Sequence, residues 1–166
     1  MDRYAAGKGW KLAILTTLAL LLPASLAEAR IVPQRGIQGI FLNMTKSRVI
    51  QEKGQPDSQR IVDNEILGRQ RIMRYGRTRV AFSGTRNNSR AIGIDTRSRT
   101  QRTRSGVGIG STEAAVRAGV GGIRCRTESG RRHCFKGRFE PGQRVTDFSL
   151  SSAGRVTRVT VAFVID

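Results

Sequence analysis

With 166 residues, 30 Lys and Arg, 12 Asp and Glu, one His and two Cys, the chain is small and strongly basic, with a formal net charge of +18. One imidazole and two thiols do not complete a tetrahedral metal site, and no HExxH, GxSxG, P-loop or dinucleotide fingerprint occurs. The sequence therefore points away from an enzyme and requires no cofactor.

Residues 1–29 read as a cleavable secretory signal peptide. Arg3, Lys8 and Lys11 form a positive start, residues 12–22 are an uncharged apolar run, and Ala27-Glu28-Ala29 is a small-residue cleavage site. The alternative is an uncleaved anchor, but eleven apolar residues fall short of the ~20 that a helix needs to cross a bilayer. Cleavage would remove three cations and two acids, along with Trp10, and leave 137 residues with 27 Lys and Arg against 10 Asp and Glu. That is enough for one compact domain or two small repeats sharing a core.

The next segment, 30–95, holds the first copy of an internal repeat, and 106–166 holds the second. Residues 39–49 match residues 106–116 at a constant offset of 67, pairing Gly39 with Gly106, Thr45 with Thr112 and Val49 with Val116. The offset persists to Gly54 and Gly121. In each copy an apolar β-like run meets a turn, with Met44 or Ser111 near a helix N-cap and Thr45 or Thr112 beside it. A helix of about nine residues follows, turning Val49 or Val116 to the core and stopping at glycine. So short a helix is unstable alone and needs a sheet to lie on.

Alternating runs after the first helix predict strands over 71–75, 77–82 and 90–94, with a further edge strand over 59–62. Residues 96–105 contain no apolar side chain and read as a polar, Arg-rich linker. In the second half the strands are 132–137, 144–150 and 155–165, with Ala153-Gly154 at a hairpin turn. From Val159 onward, alternation places Val159, Val161, Phe163 and Ile165 on one face. The implied class is α+β, as two tandem units of short helix packed on antiparallel strands.

The arrangement Gly39, Thr45, Val49, Gly54 and Pro56, followed by Tyr75-Gly76 and β-hairpins, resembles a superfamily of small envelope proteins. That superfamily includes the tandem-repeat β-lactamase inhibitory protein and the small lipoprotein of the outer-membrane assembly machine. The resemblance covers most of residues 36–166. Its motifs specify a fold rather than a catalytic site, and Ile123 stands where a second Pro56 would be. The chain also looks like small secreted proteins of high-GC Gram-positive bacteria that have no assigned role. The resemblance implies a binding role outside the cytoplasm or at the cell envelope, one version being inhibition of an extracellular hydrolase. An inhibitory interface leans on aromatic hot spots, and only Tyr75 remains of Tyr and Trp once residues 1–29 are removed.

Cys125 and Cys134 flank Ser129-Gly130 symmetrically, so a two-residue turn there sets them directly opposite each other. An oxidising compartment favours a disulfide, and its short loop contributes roughly 2–3 kcal/mol in the chain-entropy model. A metal pair with His133 is the alternative. His133 itself reads as a surface residue of an Arg-rich hairpin.

The excess cation suits polyanions such as wall phosphates, acidic polysaccharide, nucleic acid or anionic lipid. Arginine accounts for 24 of the 27 cations, and the tightest cluster, Arg97, Arg99, Arg102 and Arg104, is the candidate anion-binding set. A GC-rich coding bias would also inflate Arg. Specific nucleic-acid binding is disfavoured, because few aromatics interleave with the cations. Residues 106–110 resemble a glycine-rich phosphate loop only superficially, and a structural role at the sheet-to-helix turn is favoured. Asp63 and Glu65 form an acidic pair whose simplest reading is solvated ion pairing with Arg60 and Arg69.

Overall fold

A computed structural model describes residues 31–165. The signal-peptide reading of 1–29 and its cleavage site lie outside the described residues.

The chain opens with three short strands, β1 (Ile31–Val32), β2 (Gly36–Ile37) and β3 (Ile40–Phe41), which form a small antiparallel sheet of their own. Helix α1 (Lys46–Lys53) leads into β4 (Ser58–Asn64), β5 (Gly68–Tyr75), β6 (Thr78–Phe82) and β7 (Ala91–Thr96). Helix α2 (Glu113–Gly119) leads into β8 (Arg124–Glu128), β9 (Arg131–Lys136), β10 (Arg144–Leu150) and β11 (Val156–Phe163). All eight later strands join one antiparallel sheet in the order β4-β5-β6-β7-β11-β10-β9-β8.

This corrects the expectation of two tandem helix-on-strand units. The fold is dominated by strands, and the two halves share a single sheet whose seam is the β7–β11 pair, with Ile94 opposite Val161. Two separate four-stranded sheets would each leave a long inner edge of unpaired N–H and C=O groups, and the seam removes both edges. The helices are too small to act as layers. Each has one fully buried side chain, Val49 in α1 and Val116 in α2.

Alternation along the strands sorts the residues onto two faces. One face carries the rows Met73–Val80–Ile94–Val161 and Thr78–Thr96–Val159–Phe148–Cys134. These pack with Ile31, Ile37, Ile40, Leu42, Val107 and the two helix valines into one core. Thr78 and Thr96 are buried there with their hydroxyls 3.0 Å apart. β11 ends at Phe163, so Val159 and Val161 are fully buried while Ile165 is 42% exposed.

Segment 96–105 begins inside β7 with Thr96 and then packs down. Gln101 and Thr103 are buried, and the Arg102 carbonyl accepts from Ile31 N at 2.9 Å.

Candidate anion-binding face

The second face of the eight-stranded sheet carries the residues between the core positions. Its middle row runs Arg74, Arg79, Asp95, Thr160, Asp147, Phe135, Arg124 across seven strands. A parallel row runs Arg158, Ser149, His133, Arg126. Arg97 lies one residue past the Thr96–Val159 pair and so comes beside Arg158, while its N–H bonds the Arg77 carbonyl at 3.0 Å. On the other side of the middle row the floor is small, with Ala81, Gly93 and Ala162 in register. A side chain at Gly93 would touch the Ala162 and Ala81 methyl groups.

Two charges in the middle row are satisfied locally. Asp95 takes a bidentate grip on Arg79, with Nε to Oδ2 and Nη2 to Oδ1 both at 3.0 Å. Asp147 accepts from His133 Nδ1 at 2.5 Å and from the Ser149 hydroxyl at 3.1 Å. A carboxylate can only accept, so Nδ1 carries the ring proton. His133 Nε2 is buried without a hydrogen-bond partner among the described residues, 3.6 Å from Glu128 Oε2. His133 thus sits within β9, its side chain mostly covered, rather than in the surface turn anticipated from sequence.

The row is hollowed into depressions. One of about 830 Å³ is lined by Arg97, Arg131, Arg158, His133, Asp147 and Glu128, among others. A second, of about 320 Å³, is lined by Arg74, Arg77, Arg79, Asp95 and Arg97. Arg97 is common to both. Among the described residues Arg77, Arg97, Arg131 and Arg158 form no ion pair, and the Nε of Arg158 is buried without a partner. At the far end Phe135 is sealed by Phe139, edge-on at 4.9 Å, and by the Arg124 and Arg126 guanidinium groups at 5.0 and 4.9 Å from its ring centre.

Of the four arginines singled out by clustering, only Arg97 belongs to this face. Arg99 and Arg102 line a separate hollow with Ser111 and Arg155, where Arg102 donates to the Gly106 carbonyl at 2.9 Å, and Arg104 is exposed. Sequence spacing groups neighbours along the chain, whereas the face is assembled from every second residue of separate strands. Alternation within β9 and β11 was the available signal for Arg131, His133 and Arg158; strand order was not readable.

The repeat positions fall as follows. Gly39 and Gly106 both have left-handed backbones, with φ of +76° and +80°. Thr45 and Thr112 are themselves the helix N-caps, accepting from Arg48 N and Ala115 N at 3.2 Å each. Gly54 caps α1, whereas α2 ends on Val120, one residue before Gly121. In the 106–110 loop, a Cβ on Gly108 would lie 2.4 Å from the Gln101 carbonyl oxygen, which explains that glycine by packing.

Cys125 and Cys134 are directly opposed in the β8–β9 hairpin and joined as a disulfide, with Ser129 and Gly130 at φ +48° and +74° forming the turn. Glu113 lies close enough to both sulfurs to suggest a metal cluster. The sulfurs are bonded to each other, and the carboxylate is gripped by Arg132 at 2.6 and 2.9 Å and by Arg117 at 2.8 Å, so the group does not fit a cation. These guanidinium contacts, Arg132 first and Arg117 second, hold the Glu113 carboxyl down to about 2. His133 cannot join the cysteines, because successive side chains of a strand face opposite ways. Asp63 meets Arg69 at 3.8 Å with both side chains exposed.

No protein-family model matches the chain, and no curated protein matches it. Among solved structures the chain is similar to a DUF4309 family protein (YjgB) from Bacillus subtilis, at 17% identity, over 83% of this chain and 90% of that one, with a TM-score of 0.44.

Proposed function

We propose that this is a non-catalytic binding protein that works outside the cytoplasm or at the cell envelope and docks its partner through the uncovered face of the eight-stranded sheet. One observation carries the reading: one face of the sheet packs onto the apolar core, while the opposite face presents arginines from several strands, Arg74, Arg79, Arg97 and Arg158 among them. Excess unpaired cation on a broad surface attracts an anionic partner and costs nothing in core packing. The leader-like N-terminus and the disulfide support an exported protein.

The His133–Asp147 pair favours a structural role over catalysis. Ser149 donates to Asp147 rather than to His133, so no nucleophile meets the imidazole, and Nε2 is closed off beside Glu128. The hydrolase-inhibitor alternative draws less support, because no Tyr or Trp lines either depression.

The test compares charge reversals on the face, R97E with R158E, against reversals outside it, R99E, R102E and R104E. Retention of the protein on isolated envelopes of the producing cell, at fixed ionic strength, should fall sharply for the face pair alone. Equal retention of both variants, or loss only for the second set, rules the reading out.

A further inference from the structure

Resting on that reading, we propose that the partner is a linear phosphodiester polymer without bases, lying across the strands in the groove that runs from Arg77 through Arg97 and Arg158 to His133. The direction follows from register. Arg77 just before β6, Arg97 just after β7, Arg158 on β11, Ser149 on β10, His133 on β9 and Arg126 on β8 follow one another in register, so the row crosses five interstrand steps of about 4.8 Å, roughly 24 Å in all. The two depressions share Arg97 in their lining, and the polymer would pass over it from one to the other.

The ligand chemistry follows from the lining. Every Lys or Arg that lines the two depressions is an arginine, whose planar fork matches the paired oxygens of a phosphodiester. Arg77, Arg97, Arg131 and Arg158 are free to engage four successive groups. No Phe, Tyr or Trp lines either depression, so the groove has no platform on which a base would stack. The exposed aromatic at its end, Phe139, is already covered on one side by Arg126 at 5.3 Å. Three carboxylates also line the two depressions, each held by a basic side chain: Asp95 by Arg79, Asp147 by His133 and Glu128 by Arg126 at 3.0 Å.

The probe is synthetic poly(glycerol phosphate), labelled at one end, titrated into the protein lacking residues 1–29 at several salt concentrations. Four phosphate contacts on a flexible single chain predict a log K against log salt slope of about −3. The pair R97Q and R158Q should halve that slope and weaken binding roughly tenfold or more. R97Q alone, at an exposed position, should move both in the same direction with no change in the thermal midpoint. R99Q with R104Q should leave both unchanged. Binding indifferent to Arg97 and Arg158, equal binding of polyglutamate at matched charge, or tighter binding of oligodeoxythymidylate would each overturn the proposal. If poly(glycerol phosphate) fails to bind while envelope retention still depends on Arg97 and Arg158, this inference falls and the sheet-face reading stands. Loss of both removes the two together.

Discussion

Arg155 reaches back 45 residues to donate from Nη1 to the Gly110 carbonyl at 3.1 Å. The first half repeats the contact: Arg90 donates from Nη1 to the Asn43 carbonyl at 3.0 Å. Around each arginine the backbone bonds correspond as well. Gly110 N bonds Val156 O and Val156 N bonds Ser111 O, as Asn43 N bonds Ala91 O and Ala91 N bonds Met44 O. Asn43 and Gly110 both sit in left-handed backbone, at φ +70° and +88°. The repeat is therefore a pair of equivalent clamps, each fastening a helix entry to one of the two strands that form the seam.

Each clamp should contribute about 1 kcal/mol, the net worth of one well-made hydrogen bond. R90A and R155A are expected to lower the denaturation free energy by similar amounts, and the double variant by their sum, because the two share no partner. Departure from additivity by more than ~0.5 kcal/mol in urea titration would show that the clamps are not independent.

The disulfide closes only the β8–β9 hairpin at one edge of the sheet. Replacing both cysteines by serine should cost roughly 2–3 kcal/mol. Arg97 and Arg158 lie on the opposite face, so the affinity proposed for poly(glycerol phosphate) should be kept. A loss of binding matched to the loss of stability would contradict that separation.

Glu113 gives the fold a defined acid sensitivity. Its carboxyl is lowered in the folded state from an ordinary 4.5 to about 2 by Arg132 and Arg117. A lowered folded value means that the contribution is complete above pH ~4.5 and disappears as the pH falls towards ~2. E113Q should be less stable than the parent at pH 6, and the gap should close by pH 2. A thermal-melt difference that is constant across that range would assign the effect to packing alone.

Gly108 tests the meaning of the glycine-rich loop. In G108A the new methyl group meets the Gln101 carbonyl, and relieving that overlap should cost about 1–3 kcal/mol. Polymer affinity should be unchanged at a temperature where the variant is folded. A selective loss of affinity at full stability would restore the phosphate-loop reading.

Much of the local structure was legible because it depends on neighbours in the chain. The offset of 67 located both helices, and alternation located the edge strand, the hairpins and the buried Val159 and Val161. The symmetric spacing of Cys125 and Cys134 about Ser129-Gly130 placed their bridge, because hairpin register is set by the turn itself. The three two-residue strands near Ile31, Ile37 and Ile40 were not legible, since so short a strand has no period to detect.

The sequence by itself determined a small basic chain with a duplicated helix entry, a set of alternating strands and one hairpin able to close a disulfide. Tertiary structure alone decided that β7 and β11 pair, which turns two predicted units into one sheet. That choice comes from satisfying the inner edges of both halves, a long-range requirement that no local pattern encodes. The same pairing brings Arg97 beside Arg158, residues 61 apart in sequence, and places both in the lining of one depression.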